Sequence, residues 1–92
     1  MPNPARKRKP SGPARRRLWL MFPPKQIQKP LIWQLGRKFK IVTNIRQASV
    51  TDEIGVVCLE LDGQPPEITR AIRWLEKQGV RVDPVEINVI ES

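Results

Sequence analysis

The spacing of the apolar residues is the feature that most limits which folds this chain can adopt. Short extended-type segments, apolar on one or both faces, flank two segments in which apolar residues recur every three or four positions. The extended segments cover residues 17–22, 41–50, 54–61 and 80–90, and the helical ones cover residues 30–40 and 65–78. The sequence therefore predicts the order strand, helix, strand, strand, helix, strand.

Turn and cap residues fit this order. Residues 23–30 are predicted to form a loop, and Pro30 suits the first turn of a helix because its missing N–H would have no partner there. Residues 51–53 supply the turn between the two middle strands, and Gly79 is predicted to end the second helix as a left-handed cap. Pro84 falls inside the last strand, which must then be an edge strand.

The arrangement that satisfies these constraints is α+β, with the order βαββαβ. Right-handed crossovers in this order give a ferredoxin-like sandwich, a four-stranded antiparallel sheet with two helices on one face. The last strand is an edge in that topology, as Pro84 requires.

The charge is concentrated at the N-terminus. The first 17 residues contain seven Lys or Arg and no acid, while the whole chain of 92 residues has a net charge of +8. Residues 1–16 also contain four prolines, so we expect a disordered, basic, Pro-rich tail, followed by a domain at residues 17–92. The candidate polyanion-binding residues are Arg6, Lys7, Arg8, Lys9, Arg15, Arg16 and Arg17. The alternative is a tail that only keeps the chain in solution.

Several function classes find little support in the composition. The chain has no His and a single cysteine, Cys58, so we expect no disulfide, metal site, cofactor or catalytic activity. Cys58 is predicted to pack in the sheet. No apolar stretch approaches the roughly 20 residues that span a bilayer, so we expect a cytoplasmic protein that is not transmembrane.

A set of short motifs in a fixed order carries a family resemblance. These are residues 18–22, 30–31, 37–39, 44–45, 55, 62–63, 71–75 and 79–80. In this order the chain resembles the NIL domain, an ACT-like ferredoxin-fold module found at the C-terminus of methionine-importer ATPase subunits. The family takes its name from an Asn-Ile-Leu motif at the start of the second strand, and Asn44, Ile45 and Arg46 stand in its place here. The resemblance covers residues 17–90.

The resemblance implies a ligand site and a homodimer. In the family, domains pair through their sheets and bind methionine near the interface, which implies a site containing Asn44, Ile45, Arg46 and Gly55. A carboxamide at Asn44 offers donors and an acceptor to an amino acid, although it serves equally well to satisfy backbone groups at the strand end. Arg46 either pairs with a ligand carboxylate or is a solvated strand residue.

Three functional hypotheses remain open at this stage. The first is a non-catalytic, stand-alone regulatory domain that binds a small amino acid such as methionine. The second is a basic nucleic-acid-binding protein acting through its tail, with Trp19 as a possible base-stacking residue on a sheet that otherwise looks aliphatic and suited to a dimer. The third is an assembly factor whose sheet pairs with a larger protein partner. The chain lacks the Gly-rich nucleotide-binding loop of an ATPase.

Overall fold

The computed structural model describes residues 12–85 and contains four strands and three helices in that span. In chain order these are β1 (Ala14–Phe22), α1 (Pro24–Ile27), α2 (Leu31–Lys38), β2 (Ile41–Val50), β3 (Gly55–Gly63), α3 (Pro65–Lys77) and β4 (Arg81–Pro84). The strands form one antiparallel sheet in the order β2-β3-β1-β4. This confirms the predicted ferredoxin-like fold.

The two longer helices pack on one face of the sheet because each has a single apolar stripe. Helix α2 buries Leu31 and Leu35, and helix α3 buries Ile68, Ala71 and Leu75. The strands meet them with Leu18, Leu20, Phe22, Val57, Leu59 and Leu61, all buried. Alternation along the strands turns the intervening residues to the opposite face, which we call the open face of the sheet.

The turns agree with the sequence. Thr51 Oγ1 accepts hydrogen bonds from the backbone N–H groups of Glu53 and Ile54, which closes the hairpin between β2 and β3. Gly79 has a φ of 90°, so the predicted left-handed cap is confirmed. Strand β4 lies at the sheet edge beside β1, which accommodates Pro84. Strand β2 forms the other edge.

Some element boundaries differ from the predictions. Strand β1 begins at Ala14 instead of residue 17, because its first residues pair with the far end of β3. The predicted loop at residues 23–30 contains the short helix α1, and β3 continues to Gly63. Strand β4 ends at Pro84, and the rest of the predicted strand lies outside the described residues. So does most of the predicted tail, and the division into tail and domain stays a prediction.

A β-bulge interrupts the pairing of β2 with β3. Ile45 faces Leu59 and Gln47 faces Cys58, so Arg46 is the extra residue. The bulge keeps Ala48 and Val50, beyond it, on the same face as Ile45.

None of the helices within residues 12–85 is both long and apolar enough to cross a membrane.

Candidate functional site

The four predicted ligand-site residues lie on both faces of the sheet. Ile45 pairs with the core residue Leu59, which places Ile45 on the helix side. Asn44 pairs with Glu60 on the open face, and Arg46 lies beside the same Glu60. Asn44 and Arg46 therefore lie on the opposite side of the sheet from Ile45.

Ile45 and Gly55 line a groove on the helix side, which we call the apolar groove. It has a volume of about 280 Å³ and lies where β2 extends past the helices. Its walls are Phe22, Ile27, Lys29, Pro30, Leu31, Ile32, Trp33, Ile45, Ala48, Val50, Gly55 and Val57. Ile45 and Val50 on β2 are 53% and 56% exposed, and Trp33 on α2 is 62% exposed. The structure thus leaves an apolar recess open to a ligand.

Gly55 contributes to the shape of this groove by lacking a side chain. A Cβ at this position would lie 3.5 Å from both Ile27 Cγ1 and Phe22 Cβ, and 3.8 Å from Val50 Cγ2. These are ordinary packing distances, so a larger residue would fill the end of the groove without a backbone clash. The glycine keeps that space available.

Polar groups are few around the apolar groove. Lys29 is the one charged residue among its lining residues. The outer row of β2 backbone N–H and C=O groups lies nearby, because β2 is an edge strand with no neighbour on that side among the described residues. This combination suits a small ligand with an apolar body and a charged end.

A buried acid organises the open face. Glu60 is 6% exposed, and its two carboxylate oxygens contact two arginines from the neighbouring strands. Arg17 Nε donates to Oε2 at 3.2 Å, and Arg46 Nη1 lies 3.8 Å from Oε1. Arg46 is therefore neither a simple solvated residue nor part of the apolar groove. Glu60 was not among the predicted site residues, although an acid within the otherwise apolar segment of β3 was a usable signal.

The arginines of β1 also have partners in the sheet. Arg15 Nε donates to Asp62 Oδ1 at 3.0 Å, and this hydrogen bond together with the charge of Asp62 raises the pKa of Arg15. Arg16 is exposed and lies on the opposite side of the strand from Arg15 and Arg17. Polyanion binding by these three residues stays a prediction, and Arg6, Lys7, Arg8 and Lys9 lie outside the described residues.

Chemistry-bearing clusters are sparse within the described part of the chain. Cys58 is buried and unpaired, on the open face between Trp19 of β1 and Gln47 of β2. No three His, Cys, Asp or Glu side chains between residues 12 and 85 lie close enough together to hold a metal ion. The apolar groove and the charged open face are the two surfaces that remain as candidates for function.

Comparison with known proteins identifies the fold and the family. The family model described as "NIL domain" matches residues 16–84. Among solved structures, the C-terminal domain of an ABC transporter ATP-binding protein from Enterococcus faecalis superimposes with a TM-score of 0.67 at 22% sequence identity. This match covers 76% of the present chain and 82% of the other, and it shows a shared fold.

Two curated relatives carry the name methionine import ATP-binding protein MetN. The one from Geobacillus kaustophilus (strain HTA426) is 34% identical over 61 residues, which is 62% of this chain and 18% of the relative. The one from Symbiobacterium thermophilum is 34% identical over 67 residues, which is 68% of this chain and 20% of the relative. The chain therefore spans about a fifth of the length of these relatives. The family model covers most of the described residues and confirms the resemblance: this chain belongs to the NIL domain family.

Proposed function

We propose that this chain is a non-catalytic regulatory domain that binds a small amino acid such as methionine in the apolar groove. The observation that carries the proposal is the placement of Ile45, a motif residue, and Gly55 in the walls of this groove. The similarity to methionine import ATP-binding proteins supports methionine as the first ligand to test.

The chemistry of the groove fits an amino acid with an unbranched apolar side chain. Its volume of about 280 Å³ lies just below the roughly 300–1,000 Å³ of pockets for drug-sized ligands. A thioether side chain would lie among Ile45, Val50 and Val57, where it loses no hydrogen bond to water. The Lys29 ammonium would attract the ligand carboxylate.

We further propose that two copies pair along the β2 edge. This ten-residue edge strand has exposed apolar side chains at Val42, Ile45 and Val50. An exposed apolar edge of this length favours pairing with another strand. The open face is less suited to a dimer, because burying Glu60 and its arginines in an apolar interface would cost desolvation energy. Edge pairing would place the groove beside the interface.

Edge pairing also gives Asn44 a role consistent with its position. Asn44 lies on the open face of the same edge strand that carries Ile45 on the helix side. A second copy paired along β2 would bring its own side chains close to both faces of the strand. In this proposal Asn44 contacts the interface or the charged end of a ligand that reaches across the edge, and it does not line the groove.

Calorimetric titration of the full chain with L-methionine tests the proposed ligand. We expect saturable binding that an Ile45→Ser substitution weakens at least about tenfold, because it removes an apolar wall. Ile54→Ser is the matched control: Ile54 is 48% exposed, close to the 53% of Ile45, but it does not line the groove. Absence of heat with the wild-type chain, or equal weakening by both substitutions, would refute a methionine site in this groove.

A further inference from the structure

Trp19 occupies the middle of the open face. It lies on the inner strand β1, between Cys58 of β3 and Asp83 of β4, and it is half-buried. Arg17 and Arg15 precede Trp19 on the same face of β1. Each step of two residues along the strand is about 7 Å. One strand thus presents an aromatic ring and two guanidinium groups.

A recess beside the indole ring has room for a planar group. It has a volume of about 350 Å³ and is lined by Trp19, Gln47, Ala48, Ser49 and Val56. We call it the Trp19 recess. Gln47 and Ser49 are exposed, and they face Cys58 and Val56 across β2 and β3. The amide and the hydroxyl supply both donors and acceptors at the rim. An aromatic wall with such a rim is suited to a nucleobase.

The arginines of this face keep donors for an anion. Arg15 and Arg17 donate through Nε to Asp62 and Glu60, and Arg81 Nε lies 3.2 Å from Asp83 Oδ2. Within residues 12–85 these ion pairs neutralise the acids of the face, and each guanidinium has terminal N–H donors beyond the Nε that it uses there. A second recess, of about 360 Å³, is lined by Arg15, Arg16, Arg17, Glu60 and Val85. It is large enough for a phosphate group.

The charge along the chain points to the same face. The seven basic residues among the first 17 end in Arg15, Arg16 and Arg17, which are already part of β1. The basic stretch therefore leads directly into the strand that carries Trp19. Arg15 and Arg17 would attract a polyanion to the face that carries the indole ring.

We propose that the open face binds single-stranded nucleic acid. An unpaired base stacks on Trp19, Gln47 and Ser49 contact its edge, and Arg15 and Arg17 contact the backbone phosphates. Stacking requires a base that is not enclosed in a duplex, so single strands are the preferred form. This site lies on the opposite side of the sheet from the apolar groove and is independent of the proposed amino-acid ligand.

Fluorescence anisotropy with a labelled oligouridylate of about 10 nucleotides tests this site. We expect saturable binding by the full chain that Trp19→Leu weakens at least about fivefold, while Trp19→Phe retains most of the affinity. Trp33→Leu is the matched control, because Trp33 is exposed on the helix side, and it should leave the affinity within about twofold.

A variant at an exposed position guards against misfolding of the Trp19 variants. Gln47→Glu places a negative charge at the rim of the Trp19 recess and should also weaken binding at least about fivefold. The proposal is overturned if the wild-type chain does not bind the oligouridylate, or if a duplex of equal length binds as tightly. It is also overturned if Gln47→Glu and a folded Trp19→Leu variant both bind like the wild type, since charge alone would then explain the affinity.

Discussion

At the scale of single residues, Glu60 shows how a charged side chain becomes part of a sheet. Each of its carboxylate oxygens faces a different arginine, one from β1 and one from β2, so the acid ties three strands together. Glu60 is only 6% exposed although, within residues 12–85, the helices pack on the other face of the sheet. Arg46 reaches this position because the bulge adds one residue to β2.

Replacing Glu60 by Gln should destabilise the fold. The change keeps the size of the side chain but removes the charge that both guanidiniums contact, and we expect a loss of about 1 kcal/mol. The loss is small because Arg17 and Arg46 are 40% and 45% exposed, so that water screens their charges. Urea unfolding measures the loss, with exposed Glu76→Gln as the control. Equal stability of the two variants would show that the ion pairs contribute nothing.

Two glycines should respond in opposite ways to alanine. A Cβ on Gly63 would lie 2.8 Å from Ile41 Cγ2 and 3.0 Å from the Lys40 carbonyl oxygen, so Gly63→Ala should cost about 1–3 kcal/mol. Gly36 lies in α2 with no atom closer than 4.0 Å, and Gly36→Ala should add up to about 1 kcal/mol through helix propensity. Thermal unfolding of the two variants should shift in opposite directions, and a shared direction would contradict this reasoning.

At the scale of elements, periodicity predicted the order of helices and strands but not where β1 begins. Leu18, Leu20 and Phe22 alternate clearly, whereas Arg15 and Arg17 look like part of a basic tail. Their place in the strand depends on Asp62 and Glu60, more than 40 residues away, and no local pattern contains that pairing. The separation of Asn44 from Ile45 was predictable from strand alternation, but the motif suggested one common site.

A carboxylate connects helix α3 to the start of β2. Glu67, in the first turn of α3, accepts a hydrogen bond of 2.8 Å from the Lys40 N–H and also contacts Arg70. The hydrogen bond from Lys40, followed by the one from Arg70, lowers the pKa of Glu67. The folded state therefore releases this proton more readily than the unfolded chain. The stability that ionised Glu67 contributes is complete above the pKa of a Glu in the unfolded chain, about 4.3. It is lost as the pH falls through the lowered pKa of Glu67 in the folded state.

The Glu67→Ala substitution should remove this pH-dependent contribution. At pH 7 we expect the variant to unfold at a lower temperature than the wild type, since it lacks both the hydrogen bond and the favourable charge at the helix N-terminus. The difference should shrink as the pH falls from about 5 toward 3. Thermal unfolding across this range, with Glu76→Ala as the control, provides the measurement. A difference that stays constant with pH would argue against the assigned role.

At the scale of the whole molecule, the sheet separates two surfaces of different chemistry. The helix side carries the apolar groove at the β2 end, and the open face carries Trp19 with paired acids and arginines. The expectation of an aliphatic sheet face was wrong, because Val57, Leu59 and Leu61 all point into the core. A dimer along the β2 edge would leave both surfaces accessible.

A lysine on the β2 edge should weaken this dimer. Val42 is 66% exposed, and Val42→Lys places a charge where two edge strands would meet. Sedimentation velocity should show the wild type changing from monomer to dimer as the protein concentration rises. The variant should need a concentration at least about tenfold higher to dimerise. Ile54→Lys, outside the strand, is the control and should behave like the wild type. A wild-type chain that stays monomeric would exclude the edge dimer.

The most direct measurement is a methyl-resolved NMR titration of the full chain with L-methionine. If the ligand occupies the apolar groove, the methyl resonances of Ile45, Val50 and Val57 should shift and saturate together. The methyl resonances of Met21 and Val56, on the open face, should not shift. Shifts confined to the open face, or none at saturating methionine, would contradict an amino-acid site in this groove.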